Sequence, residues 1–171
     1  RELHPGTNLG VPAADATADL ARLARDRGVL AFVVDATAVH DRGASDAQEL
    51  GWSLAAGATY LRTLSDAGLT VGEAARLVEF RYAATDEQLA TIAKLRAARR
   101  LWARVLEVCD ADTREQRQHV VTSRPMMSKY DPWVNMLRTT VAAFAAGVGG
   151  ADSVTVLPFD SPLGRSDAFA R

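Results

Sequence analysis

Cysteine and lysine are scarce in this 171-residue chain. The single cysteine, Cys109, excludes an internal disulfide, and its place near the end of a predicted helix favours a buried, unreactive thiol. Only Lys94 and Lys129 are lysines, so arginine supplies almost all of the 20 basic side chains. The net charge of −1 argues against non-specific nucleic-acid binding. No apolar run approaches the roughly 20 residues that span a bilayer, so we expect no membrane-spanning segment.

Sequence patterns for metal and nucleotide sites are also missing. The three histidines stand far apart, and no Cys–His cluster has metal-ligand spacing. The glycines in 147–150 follow a predicted helix instead of preceding one, which makes a poor phosphate loop. No signal-peptide pattern opens the chain, and we expect a reducing, cytoplasmic setting.

The periodicity of apolar residues predicts alternating helices and strands. We predict helices over 15–26, 46–67, 85–108 and 132–146, and strands over 30–35, 75–81, 119–122 and 153–157. Such alternation is typical of right-handed βαβ units around a parallel sheet. A doubly wound sheet and part of a (β/α)8 barrel both fit this pattern. Because a full barrel typically takes about 250 residues, this chain would form only part of one.

Two candidate site residues are associated with the first two predicted strands: one follows the first strand and the other lies within the second. His40, in the loop after the first strand, is suited to hydrogen-bond a bound carbonyl, or it makes only local hydrogen bonds. Arg76, in the second strand, is suited to hold a phosphate or carboxylate. The alternative for Arg76 is a surface ion pair with Glu73 or Glu79.

The third predicted strand and its loop hold the other candidates. His119 begins this strand, and Thr122, Ser123 and Arg124 stand at its end, where they could bind an anion or satisfy their own turn. Asp131, directly before a proline, is interpreted as a helix N-cap and not as a catalytic acid. The basic helix segment 94–102 has an apolar face, and we expect its charges to be solvated or to lie at an interface.

Several segments together carry a family resemblance. Ile92–Arg104, Thr122–Ser123 and Asp131–Thr139 resemble, in this order, the substrate barrel of methylmalonyl-CoA mutases, and 143–147 and 153–160 continue the match. The resemblance covers the chain from about residue 30 onward. It implies a parallel (β/α)8 (TIM) barrel of which this chain forms roughly the later half. We expect residues 1–171 to be part of one barrel domain that continues beyond both ends.

The resemblance also implies a chemistry. Family members use adenosylcobalamin to interconvert methylmalonyl-CoA and succinyl-CoA through radicals. Their substrate lies along the barrel axis, and a separate domain makes most cobalamin contacts. By resemblance, His40 has the place of a histidine that hydrogen-bonds the thioester carbonyl, and Arg76 that of an arginine near the CoA phosphates. His119, Thr122 and Ser123 keep further positions of the substrate-binding pattern.

Other positions of that pattern are lost. The replacements exchange polar contacts for apolar or unrelated ones: valine for tyrosine at Val39, for serine at Val78 and for glutamine at Val121, arginine for glycine at Arg124, leucine for asparagine at Leu157, and serine for an acid at Ser161. A site built on hydrogen bonds loses roughly several kcal/mol of ligand affinity when such contacts are lost. The surviving residues are therefore interpreted as vestiges of a site.

This combination resembles the small, non-catalytic subunit of the heterodimeric mutases. It predicts a structural chain that pairs with a catalytic large subunit, with acyl-CoA bound only in that partner. Adenosylcobalamin would belong to the complex and not to this chain. One alternative is an active acyl-CoA mutase chain of altered specificity, in which His40 and Arg76 still handle thioester and phosphate. Another is a free-standing doubly wound binding module.

Overall fold

Five parallel strands form a single sheet in the computed structural model, which describes residues 4, 7–12, 17–164, 166 and 168–170. The strands are β1 (Asn8–Val11), β2 (Leu30–Asp35), β3 (Val78–Ala84), β4 (Arg117–Thr122) and β5 (Ser153–Thr155). The helices are α1 (Ala18–Arg27), α2 (Thr37–His40), α3 (Asp46–Asp66), α4 (Val71–Arg76), α5 (Gln88–Val108) and α6 (Val134–Gly149), and a 3-10 helix covers Ser161–Leu163.

The order of the strands distinguishes the two candidate folds. It follows the chain from β1 to β5, and each neighbouring pair is parallel. A doubly wound sheet would reverse its strand order at one point, whereas a barrel adds each strand beside the previous one. The described residues therefore form a curled part of a (β/α) barrel, as the resemblance implied, and the doubly wound alternative is wrong.

The structure corrects the second predicted strand. Arg76 closes helix α4 instead of lying in a strand, and the strand lies three residues further on, from Val78 to Ala84. A capping box explains the helix: Thr70 accepts from the backbone N–H of Glu73, whose side chain accepts from the backbone N–H of Thr70. Short β1 was not predicted at all, and positions 15 and 16 of the predicted first helix lie outside the described residues.

Two further predictions about single residues were wrong. Asp131 is not an N-cap, because residues 132–133 form a turn and α6 begins only at Val134, with Trp133 in the cap position. Cys109 is exposed and not buried, since it follows the last turn of α5, where the preceding Val108 is also 69% exposed.

The hydrophobic core fills the space between the sheet and the helices. Trp102 of α5 is fully buried and meets the Phe80 ring of β3 edge to face, with 4.7 Å between the ring centroids. A Cβ atom on Gly57 of α3 would lie 2.8 Å from the Trp102 ring, so only glycine allows this close approach. The helix layer thus packs tightly against β3. The charged side chains of the strands lie on the opposite face of the sheet.

The basic segment of α5 is less solvated than expected. Lys94 is 3% exposed and points into the molecule, where its Nζ lies 2.7 Å from Glu49 and 2.9 Å from Asp46. Arg99 donates to the carbonyl oxygens of Gly149 and Gly150, at the end of α6. Along the described part of the chain, no helix is both long and apolar enough to cross a bilayer.

Candidate functional site

Two of the predicted site residues meet at the carboxyl edge of the sheet. His40 ends α2, directly after β2, and its Nε2 lies 2.7 Å from Oγ of Ser123, the residue after β4. Thr122 lies beside them at the end of β4, and its buried hydroxyl accepts a hydrogen bond of 2.9 Å from the backbone N–H of Leu157. Parallel strands bring their carboxyl ends to one edge, which is why residues 83 positions apart in sequence come into contact.

A buried ion pair supports His40 from below. The carboxylate of Glu49 is fully buried, and its Oε2 lies 3.6 Å from His40 Nδ1 and 2.7 Å from Lys94 Nζ. Its other oxygen accepts from the backbone N–H of Ala83 at 2.9 Å. Within the described residues His40 Nδ1 has no hydrogen-bond partner. Glu49 therefore joins α3, α5 and β3 beneath the imidazole.

The order Ser123, His40, Glu49 is that of a nucleophile, a base and an orienting acid. Two features argue against hydrolytic chemistry. Ser123 is only 2% exposed, so a substrate has no approach to its Oγ. The charge of Glu49 is already balanced by Lys94, which leaves little to stabilise an imidazolium. The arrangement is best understood as one that fixes the loops after β2 and β4.

A row of charged side chains crosses the sheet face that points away from the helices. Asp35, Arg81 and His119 are direct register partners on β2, β3 and β4. Arg81 binds Asp35 at 3.0 Å and donates from Nε to His119 Nδ1 at 3.3 Å. His119 Nε2 lies 2.8 Å from the hydroxyl of Thr155 on β5. These side chains are bound to one another across four strands.

A second contact extends this inward layer to β1. Glu79 is 7% exposed and accepts a hydrogen bond of 3.2 Å from the side-chain amide of Asn8. Its other neighbour is His119, whose Nδ1 lies 3.8 Å from Glu79 Oε2. The contacts on this face link all five strands of the described sheet.

Burial lowers the pKa of His119, and the positive charge of Arg81 lowers it further, against the opposing influence of Glu79 and Asp35. Because Arg81 donates to Nδ1, the neutral ring fits this position.

The folded protein therefore resists protonation of His119 at a pH where the unfolded chain accepts a proton. Stability should fall as the pH drops through the ordinary histidine range near ~6.5. We expect the urea midpoint of the full-length protein to fall more between pH 8 and pH 5.5 than that of a His119→Gln variant. Parallel pH profiles for the two proteins would contradict this expectation.

Arg76 lies at the other edge of the sheet. It precedes β3, so the seven residues of that strand, roughly 20 Å of chain, separate it from the edge that holds His40. Its guanidinium binds Asp112 at 3.1 Å instead of Glu73 or Glu79, and this hydrogen bond lowers the pKa of Asp112. A ligand that touched both Arg76 and His40 would have to run along the strands.

A cavity of about 740 Å³ opens beside Arg76 at this amino edge. Its lining includes five arginines and three acids: Arg25, Arg76, Arg99, Arg114 and Arg117, and Glu73, Glu115 and Asp152. Most of these arginines are already engaged, for example Arg25 with Glu73 at 3.5 Å and Arg99 with backbone carbonyls. Four of the five arginines around the cavity are thus engaged, either with acids or with backbone carbonyl oxygens.

The donor set at the carboxyl edge does not fit a cobalt cofactor. Of the two histidines on the strands and their loops, His40 has its Nε2 on Ser123 and His119 has its Nε2 on Thr155. In the described stretches of the chain, no three histidine, cysteine or acidic side chains come together as a metal-ligand set.

Comparison with known proteins identifies the chain's relatives. The family described as methylmalonyl-CoA mutase matches residues 20–171. A methylmalonyl-CoA mutase small subunit of Streptomyces virginiae is 63% identical over 91% of this chain and 26% of its own length. The small subunit of Propionibacterium freudenreichii subsp. shermanii is 48% identical over 78% of this chain and 21% of its own.

A third relative agrees with these two. A protein of Mycobacterium tuberculosis, described as a probable methylmalonyl-CoA mutase small subunit, is 49% identical over 94% of this chain and 27% of its own length. The chain thus spans about a quarter of the length of the curated relatives it matches.

Proposed function

Since the chain belongs to the methylmalonyl-CoA mutase family, we propose that it forms the later part of the barrel in a small subunit that is structural and does not itself turn over substrate. The barrel domain would continue beyond both ends of the chain. A catalytic large subunit would be its partner, and acyl-CoA would bind only there. Adenosylcobalamin would serve the complex without being held by this chain.

One observation carries the proposal: the charged side chains that face the barrel axis are bound to each other. Arg81 joins Asp35 and His119, and Glu79 joins Asn8. A ligand placed against this face would have to compete with these contacts, and a polar group left without its partner costs free energy. A barrel with such a layer is suited to rigidity and not to a substrate that threads it.

The lost positions of the substrate pattern support the same conclusion. Val121 is the register partner of Thr155, beside the charged row, and cannot replace an amide that orients a carboxylate. Arg124 does not fill the axis, because its side chain is 61% exposed and binds Asp41 at 3.0 Å. The surviving candidates His40, His119, Thr122 and Ser123 all bind protein groups, and Arg76 binds Asp112.

Calorimetry on the full-length small subunit alone tests this proposal. We expect no heat of binding with methylmalonyl-CoA or with adenosylcobalamin, because the surviving candidate residues are bound to protein groups. The large subunit, prepared alone, is the matched control that shows that both ligands are active. Size-exclusion chromatography of the mixed subunits should show one heterodimer peak.

Binding of both ligands by the small subunit alone would contradict the proposal. It would favour the active-chain alternative, in which His40 and Arg76 still contact thioester and phosphate. An Arg76→Ala variant then separates the two cases, since it should weaken acyl-CoA binding only if Arg76 holds a phosphate.

A further inference from the structure

Two adjacent residues of one loop bind two adjacent residues of another at the carboxyl edge. His40 Nε2 lies 2.7 Å from Ser123 Oγ, and Arg124 Nη1 lies 3.0 Å from Asp41 Oδ2. The first pair is nearly buried, with the His40 side chain 11% exposed. The second pair is on the outside, with the side chains of Arg124 and Asp41 61% and 31% exposed. We call these four residues the latch.

The latch spans a strand. The strands β2 and β4 that carry its two halves are not neighbours, because β3 lies between them in the sheet. The contacts therefore pass over the carboxyl end of β3, where Ser123 also donates its backbone N–H to the Ala84 carbonyl at 2.7 Å. The exposed Asp41–Arg124 pair adjoins the His40–Ser123 pair on the solvent side, since each of its residues directly follows one residue of that pair.

The loop on the β4 side is anchored from α6. The amide of the fully buried Asn135 donates to the carbonyl oxygens of Ser128 and Phe159 at 2.8 and 2.9 Å and accepts from the Ser128 N–H. Arg138 donates to the Met126 carbonyl at 2.7 Å and lies 3.5 Å from Asp86. Because α6 holds this loop in place, we expect any opening of the carboxyl edge to occur on the Asp41 side.

We propose that the Asp41–Arg124 ion pair holds the carboxyl edge of the barrel closed over the His40 imidazole. The latch keeps the ring turned onto Ser123 and shields it from electrophiles that approach this edge, acyl thioesters included. This inference deepens the proposed function, on which it rests, by naming the contact that keeps the surviving histidine out of reach.

Carbethoxylation by diethyl pyrocarbonate, followed residue by residue with mass spectrometry on the full-length chain, tests the latch. In Asp41→Asn and in Arg124→Ala we expect His40 to react about two- to fivefold faster, which is the factor that one exposed ion pair contributes to a closed state. The rate at His119, on the inward face, is the internal reference and should not change.

A charge-swapped variant, Asp41→Arg with Arg124→Asp, should restore the slow rate at His40. Glu107→Gln is the matched control, because it removes an exposed ion pair with Arg104 of 2.6 Å away from this edge, and it should leave the rate unchanged. Unaltered rates in both single variants, or a swap that does not slow the reaction, would overturn the latch.

This outcome is separable from that of the proposed function. Acyl-CoA binding by the unmodified chain bears on the non-catalytic role, whereas the latch is judged only by relative carbethoxylation rates. If the latch fails its test and calorimetry still shows no binding, the lost positions of the substrate pattern and the contacts on the inward face remain as the reasons for the absence of binding.

Discussion

Replacement of Lys94 by methionine should destabilise the full-length protein by about 3–5 kcal/mol. The side chain is 1% exposed, and its ammonium group neutralises the buried carboxylate of Glu49 as well as that of Asp46. Methionine keeps most of the volume but leaves the charge of Glu49 unpaired where water cannot reach it. The measurement is the free energy of unfolding from urea denaturation followed by circular dichroism.

A second substitution shows whether the charge is the cause. The double variant Lys94→Met, Glu49→Gln leaves no unpaired ionised group at the buried position. The amide oxygen of the new glutamine can still accept a hydrogen bond from the Ala83 N–H. We expect the double variant to regain most of the lost stability. Glu107→Gln, at an exposed ion pair, should change stability by less than about 1 kcal/mol. Equal losses in the single and double variants would show that side-chain shape, and not charge, dominates.

Truncation of Trp102 to alanine should cost about 3–5 kcal/mol of stability. The indole is fully buried, stacks edge to face on Phe80 and fills the space that Gly57 leaves open in α3. Because three elements meet at this ring, the cavity left by alanine cannot collapse without moving a helix. Urea denaturation of the full-length chain again gives the value.

Trp102→Phe is the matched control. It keeps an aromatic ring against Phe80 and removes an indole N–H that has no hydrogen-bond partner in the described part of the chain, so it should cost clearly less than alanine. Gly57→Ala should destabilise the parent protein but be better tolerated beside phenylalanine, because its new methyl group then has room. If the effects of Gly57→Ala and Trp102→Phe on stability simply added in the double variant, this would argue against a tight contact between the two positions.

The sequence predicted the architecture better than the position of single elements. A continuous apolar run identified β2, and helical periodicity identified α3 to within one residue and the end of α5, whose start was placed three residues too early. The strand before α5 was placed too early because the Thr70–Glu73 capping box, a helix-start signal, went unrecognised. Strand β1 has only four residues and contains Gly10, so its pattern was too short to detect.

The site was predictable only in part. Positions next to strand ends drew attention to His40 and Ser123, and the structure brings these two side chains into contact because barrel topology gathers such residues at one edge. A role for them in substrate binding stays a prediction. Glu49 and Lys94 were missed because their contact joins two helices 45 residues apart, and apolar periodicity says nothing of polar partners. A usable signal existed: Glu49, Ser53 and Gly57 are four residues apart, so a polar and small stripe marks the inner face of α3.

The chain-ordered sheet has a consequence for how the protein is made. Each strand pairs with the strand that precedes it and the strand that follows it, so every strand finds its partner among the part of the chain already synthesised. The sheet can therefore grow in chain order during synthesis, although each parallel pairing has to close a crossover such as the one between Phe32 and Val78. The Asp41–Arg124 contact can form only after β4 has left the ribosome and Arg124 can reach back to Asp41. The carboxyl edge around β3 would thus be completed only after the strand on each side of it has been made.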